Sequence, residues 1–179
     1  MTNPSVKKLV LSSLFLALSI VLPLFISPIP EIGQRLLPMH IPVLLCGFFC
    51  GWKYGFLVGV LAPLLKTFFP PAPPLFPIAI AMSFELGAYG LLTGLLYHVF
   101  PKKNSFIYMT LVTAMIFGRI IYGLVISILF LLDERVYTMT LFISSTVIDA
   151  IPGIILQLLI IPVIVIAIHK LENHEGQHV

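Results

Sequence analysis

Glu85, Arg119 and Asp149 each stand inside a long run of leucine, isoleucine, phenylalanine and glycine, and isolated charges in such company serve recognition or pairing rather than solvation. Their neighbours repeat at helical spacing. Tyr89 follows Glu85 by four, Tyr122 follows Arg119 by three, and Ser145, Asp149, Gly153 and Gln157 form a stripe at intervals of four. Carboxylates and a guanidinium make charge-assisted hydrogen bonds, and tyrosine rings offer faces for stacking. His40 stands between Pro38 and Pro42 in LPMHIPVLL, where a neutral imidazole both donates and accepts. Lys66, closer to a proline-rich break, is placed to neutralise the two acids or to attract an anion. A plainer use exists for each group: an Arg119–carboxylate pair that only locks helices together, and a histidine that caps a helix or bonds a loop carbonyl.

Other chemistries lack their signatures. The chain contains no G-x-x-x-x-G-K-[ST] phosphate loop, no H-E-x-x-H pair, no G-x-S-x-G elbow and no pair of aspartates within its apolar runs. Nucleotide hydrolysis, metalloproteolysis and lipid hydrolysis therefore have no visible machinery, and the chain reads as a binder or conduit, not an enzyme. Cys46 and Cys50 share a helix face, but no further ligand stands near enough to complete a metal site, so they are expected in the core. No cofactor and no nucleic acid is called for.

These groups must be positioned by helices in lipid. With 59% hydrophobic and 9% charged residues, the 179-residue chain has too little polar surface to cover a soluble domain. A helix needs about 20 apolar residues to cross a hydrocarbon core of about 30 Å. Apolar runs at 9–26, 40–51, 54–69, 77–99, 106–132 and 139–169 predict a compact all-α bundle of six transmembrane helices forming one integral membrane domain over residues 1–179. The second run is short and the last is long. Lys7 and Lys8 precede the first run like a signal peptide's basic flank, but Pro23, Pro28 and Pro30 follow without a good cleavage site, so it reads as a mature span.

The lysines set the orientation. With both termini cytoplasmic, Lys7, Lys8, Lys53, Lys102, Lys103 and Lys170 lie inside, while Arg35 and Arg135 lie outside with Glu31, Asp133 and Glu134. Residues 27–38 and the proline-rich 70–76 then form stiff external loops. At 1.5 Å per residue Glu85 falls about 12 Å, Asp149 about 15 Å and Arg119 about 18 Å from the outer ends of their spans, close enough to share a layer. Glycines 47, 51, 55 and 59, and Gly90 with Gly94, recur every four residues, the spacing of close helix packing.

LPMHIPVLLCGFFCGWKYGFLVGVLAPLLK at 37–66, PPLFPIAIAMSFELGAYGLLTGLLY at 73–97 and DAIPGIILQLLIIP at 149–162 resemble the substrate-binding S components of energy-coupling factor transporters, over nearly the whole chain. The resemblance implies a multi-pass protein of the bacterial cell membrane that captures a small water-soluble vitamin or precursor from outside. It also implies two kinds of partner, a transmembrane coupling subunit and two cytoplasmic ATPases. The family docks through two alanines four apart in its first span, for which Ser13 and Ala17 are the nearest match here, with serine in the first place. The LLPMHIPVLLCGF segment leans toward members associated with α-ribazole, a cobalamin lower-ligand precursor, with pyridoxine-type vitamins and pantothenate as rivals. The alternative of another class is an assembly or chaperone subunit, whose glycine faces pack a partner and whose buried charges are structural.

Overall fold

The computed structural model describes residues 4–26, 36–101, 103–132 and 150–175. Among them are helices α1 (Pro4–Ile26), α2 (His40–Cys50), α3 (Trp52–Lys66), α4 (Ile80–Val99), α5 (Asn104–Leu132) and α6 (Ile151–Glu175), with a π-helical turn at Leu75–Ala79 feeding α4 and no strand. Ser145, Asp149 and the charged groups at Glu31, Arg35, Lys102, Asp133, Glu134 and Arg135 lie outside the described residues. The all-helical expectation is met. By length and composition four segments can cross a membrane: Ser5–Ile26, Leu75–Val99, Asn104–Leu132 and Ile151–Leu171.

The other two helices fall short for a reason written in the glycines. α2 has 11 residues and α3 has 15, and Gly51 alone separates them with φ of 91°, a left-handed conformation that glycine adopts without a Cβ clash. The chain reverses there. A Cβ on Gly47 would lie 2.8 Å from the Gly90 carbonyl oxygen and one on Gly55 2.5 Å from that same oxygen, while Gly59 abuts the carbonyl of Leu86 and Gly94 abuts the backbone nitrogen of Trp52. α2 therefore descends alongside α4, and α3 climbs back along it. The glycine spacing is packing, as the sequence predicts, and it serves a hairpin laid on α4.

α4 is the centre of this arrangement, packed on α2, α3 and α5, while α1 covers α2 and α3 and α6 lies against α5 and α2. Val43, Leu44, Cys46, Leu86, Leu111, Ile161 and Val165 form the buried core, in which Cys46 and Cys50 are free thiols. Polarity is turned inside out. Leu14, Phe84, Ile116, Leu124, Leu159 and Val163 are exposed, whereas Ser83, Glu85, Thr93, Thr110 and Gln157 are buried. A surface facing hydrocarbon favours this distribution, because lipid solvates leucine and satisfies no polar group. Ser83 and Thr93 instead donate to carbonyls of their own helix, Ala79 at 2.8 Å and Tyr89 at 2.7 Å.

Candidate ligand-binding site

The start of α2 is fixed locally. Leu37 takes φ of 49°, the His40 backbone N–H donates to the Leu37 carbonyl at 3.0 Å, and Pro42 occupies the first turn, where its missing N–H leaves no helical bond unmade. His40 is thereby set at the N-terminal tip of α2, with its side chain 1% exposed. One turn and more into α4, Ala81, Glu85 and Tyr89 share a buried face toward α2 and α5. On α5, Gly118 leaves room for the Tyr89 ring, which lies directly over it, and Arg119 follows at once.

These elements bring five of the sequence-predicted residues together. Glu85 Oε1 lies 3.2 Å from Arg119 Nε and 3.6 Å from His40 Nε2. The His40 and Tyr89 rings meet edge to face with centroids 5.5 Å apart, and the Arg119 guanidinium carbon sits 5.9 Å from the Tyr122 ring centre. Glu85 is 1% exposed and Arg119 12%. The charges of Glu85 and Arg119 compensate one another, with the His40 imidazole beside them.

Compensation of charge is not satisfaction of hydrogen bonds. Both ring nitrogens of His40, Glu85 Oε1, and Nε and Nη2 of Arg119 are buried without a hydrogen-bond partner among the described residues. Buried polar atoms are nearly always bonded, so five of them converging at the meeting of α2, α4 and α5 mark a place where further polar groups are called for. Among the described residues no group of three metal-ligating side chains occurs.

Of the three other expected members, one is used elsewhere and two lie outside the described residues. Lys66 is 1% exposed, and its Nζ donates to the carbonyls of Phe69 at 2.6 Å and Pro71 at 2.7 Å, pinning the proline-rich loop to the end of α3. Ser145 and Asp149 fall outside the described residues, but their stripe continues through Gly153 and Gln157, both buried. Gln157 lies 1% exposed with both amide atoms unpaired; its signal in the sequence is that same spacing of four. A contact with no sequence signal is Tyr97 to His169, hydroxyl to Nε2 at 2.6 Å across 72 residues.

Ser13 and Ala17 lie on the exposed side of α1, and the Ser13 hydroxyl donates to the Leu9 carbonyl of its own helix at 3.0 Å. Towards the N-terminus of that helix Val6, Lys7, Val10, Leu11 and Leu14 line a shallow apolar hollow of about 340 Å³. The buried side of α1 carries Ser12, Phe15 and Ser19, so its two faces are distinct.

Compared with known proteins, the chain matches the family described as ECF transporter, substrate-specific component, over residues 7–165. No curated protein matches it, and no solved structure does.

Proposed function

The chain belongs to the substrate-specific components of ECF transporters, and from that membership we propose that it captures one small, water-soluble vitamin or vitamin precursor outside a bacterial cell for uptake driven by ATP hydrolysis in partner subunits. Substrate recognition and a place in a multi-pass membrane complex follow from the family; the ligand, the sites and the individual partners are the proposal.

The observation that carries it is the convergence of unpaired polar atoms on His40, Glu85 and Arg119 beside the rings of Tyr89 and Tyr122. Concave apolar surroundings with a few convergent polar groups describe a small-molecule site. Ser145 and Asp149 are assigned to the same cavity through the stripe they share with Gln157, and Lys66 acts at its rim by holding the outer loop. With Asp149 in the cavity the acids outnumber Arg119, which favours a hydroxyl-bearing ligand without a carboxylate; that supports α-ribazole over pantothenate, whose carboxylate needs a free cation. Pyridoxine-type vitamins remain the second choice.

Ser13 and Ala17, on the face of α1 turned away from the bundle, are the proposed docking point for a transmembrane coupling subunit that joins two cytoplasmic ATPases. Small residues four apart let a partner helix approach closely. The assembly-subunit reading needs glycine faces free for a partner, but Gly55, Gly59, Gly90 and Gly94 are buried between α3 and α4.

The test is direct binding. Purified protein in detergent is titrated with α-ribazole, pyridoxine and pantothenate, and saturable binding of one compound with a rise in melting temperature is expected. Absence of binding across a wider panel of water-soluble vitamins, with the protein folded, would overturn the reading.

A further inference from the structure

Gln157 is the largest polar side chain left unexplained. It is 1% exposed, neither amide atom has a partner among the described residues, and it faces the interior from the stripe Gly153, Gln157, Ile161 and Val165 on α6. An unbonded buried amide destabilises an empty protein, and a leucine of similar size would remove that penalty. Something other than the empty fold therefore accounts for a glutamine here.

Its level in the bundle is fixed by a contact at the opposite end. His169 on α6 meets Tyr97 on α4 at 2.6 Å, and Ile154 and Leu158 pack against the core, so α6 runs outward from that contact as α4 does. Glu85 and Gln157 each stand twelve residues before their partner in that contact, about 18 Å further out along either helix. The amide thus lies at the depth of the Glu85 carboxylate. α6 packs on α5 and α2, the helices that carry Arg119 and His40.

We infer that Gln157 is a specificity-determining residue of the same ligand site, its carboxamide pairing with an uncharged ligand edge that presents a donor beside an acceptor. Such an edge belongs to an amide, a lactam or neighbouring hydroxyls. The carboxamide is the one side chain of the set that supplies a donor and an acceptor side by side without charge, so it selects among neutral ligands where the Glu85–Arg119 pair cannot. This rests on the ligand-binding reading given above.

Gln157→Leu and Glu85→Gln are compared with the parent by titration with α-ribazole, pyridoxine and pantothenate and by melting temperature. Gln157→Leu is expected to weaken the compound that the parent binds by about 10-fold or more while the empty protein melts no lower than the parent. Parental affinity in Gln157→Leu with loss in Glu85→Gln removes Gln157 and leaves the site standing. Parental affinity in both variants removes the site as well. Should none of these compounds bind the parent, Gln157→Cys in a background without Cys46 and Cys50 decides. Reaction from outside with a small water-borne methanethiosulfonate, with lipid-facing Leu159→Cys inert, upholds the inference; an inert Gln157→Cys overturns it.

Discussion

Glu85 separates a binding role from a structural one, because its Oε1 lies 3.2 Å from Arg119 Nε as an ion pair yet has no hydrogen-bond partner among the described residues. Charge-assisted hydrogen bonds contribute about 1.5–3 kcal/mol, so Glu85→Gln is expected to weaken ligand binding by roughly 10- to 150-fold, with the melting temperature within a few degrees of the parent. A pair that only locks α4 to α5 gives the reverse, collapsed stability with intact affinity in whatever survives, and titration beside a thermal melt tells the two apart. Gly118→Ala probes the same layer sterically. Its methyl group would enter the Tyr89 ring, and overpacking of about 1–3 kcal/mol is expected together with weaker binding, read by the same two measurements. Glu85 with Tyr89 and Arg119 with Tyr122 were legible because a helix puts residues three and four apart on one face. The approach of His40 to Glu85 was not, since it depends on α2 descending beside α4. Lys66 was legible as a cation near the proline-rich loop but neither as buried nor as a latch, although carbonyls around consecutive prolines have few backbone donors to meet and invite a lysine.

Among the elements, the α2–α3 hairpin depends on backbone meeting backbone. Gly59→Val would drive its side chain into the Leu86 carbonyl, which has no rotamer by which to yield, so little folded protein is expected in size-exclusion chromatography of detergent extracts. Gly51→Ala meets no neighbouring atom within 4 Å but must hold φ of 91°, and a milder loss of about 1–2 kcal/mol is expected in a thermal melt. Ala17→Leu tests the outward side of α1: uptake should fall in the assembled transporter while the isolated protein binds its ligand normally. Joint loss of binding and folding would make that face part of the bundle's own packing. Helix boundaries were readable where proline or glycine marks them, as at Pro42, Gly51 and Pro101, and the glycine period foretold close approach. Which helix approaches which was not readable, because a period on one helix names a face and not its partner.

At the scale of the whole molecule, apolar composition announced an all-helical membrane protein, and lysine placement gave an orientation that labelling can check. Single cysteines at Ala72 and Asn104, both exposed, in a background without Cys46 and Cys50, should react from opposite sides, Ala72 from outside; reaction of both from one side would overturn the topology. Counting apolar runs predicts six crossings, and four described segments are long and apolar enough to cross; hydropathy alone does not register how short α2 and α3 are. α2 and α3 are about 16 Å and 22 Å long, beside neighbours of about 30 Å and more. At their shared tip Trp52 is half exposed with the Lys53 ammonium 5.5 Å from its ring centre, an aromatic and basic pair of the kind that anchors at a headgroup boundary. The tip stops at Gly94, five residues before the end of α4. Lipids beside the hairpin therefore meet a shorter hydrophobic wall than lipids beside α5, and they match it by shortening locally, at a cost of fractions of a kcal/mol per Å. The protein is a wedge in thickness, and acyl-chain length becomes a control on its activity: uptake in reconstituted vesicles should decline as the chains are lengthened.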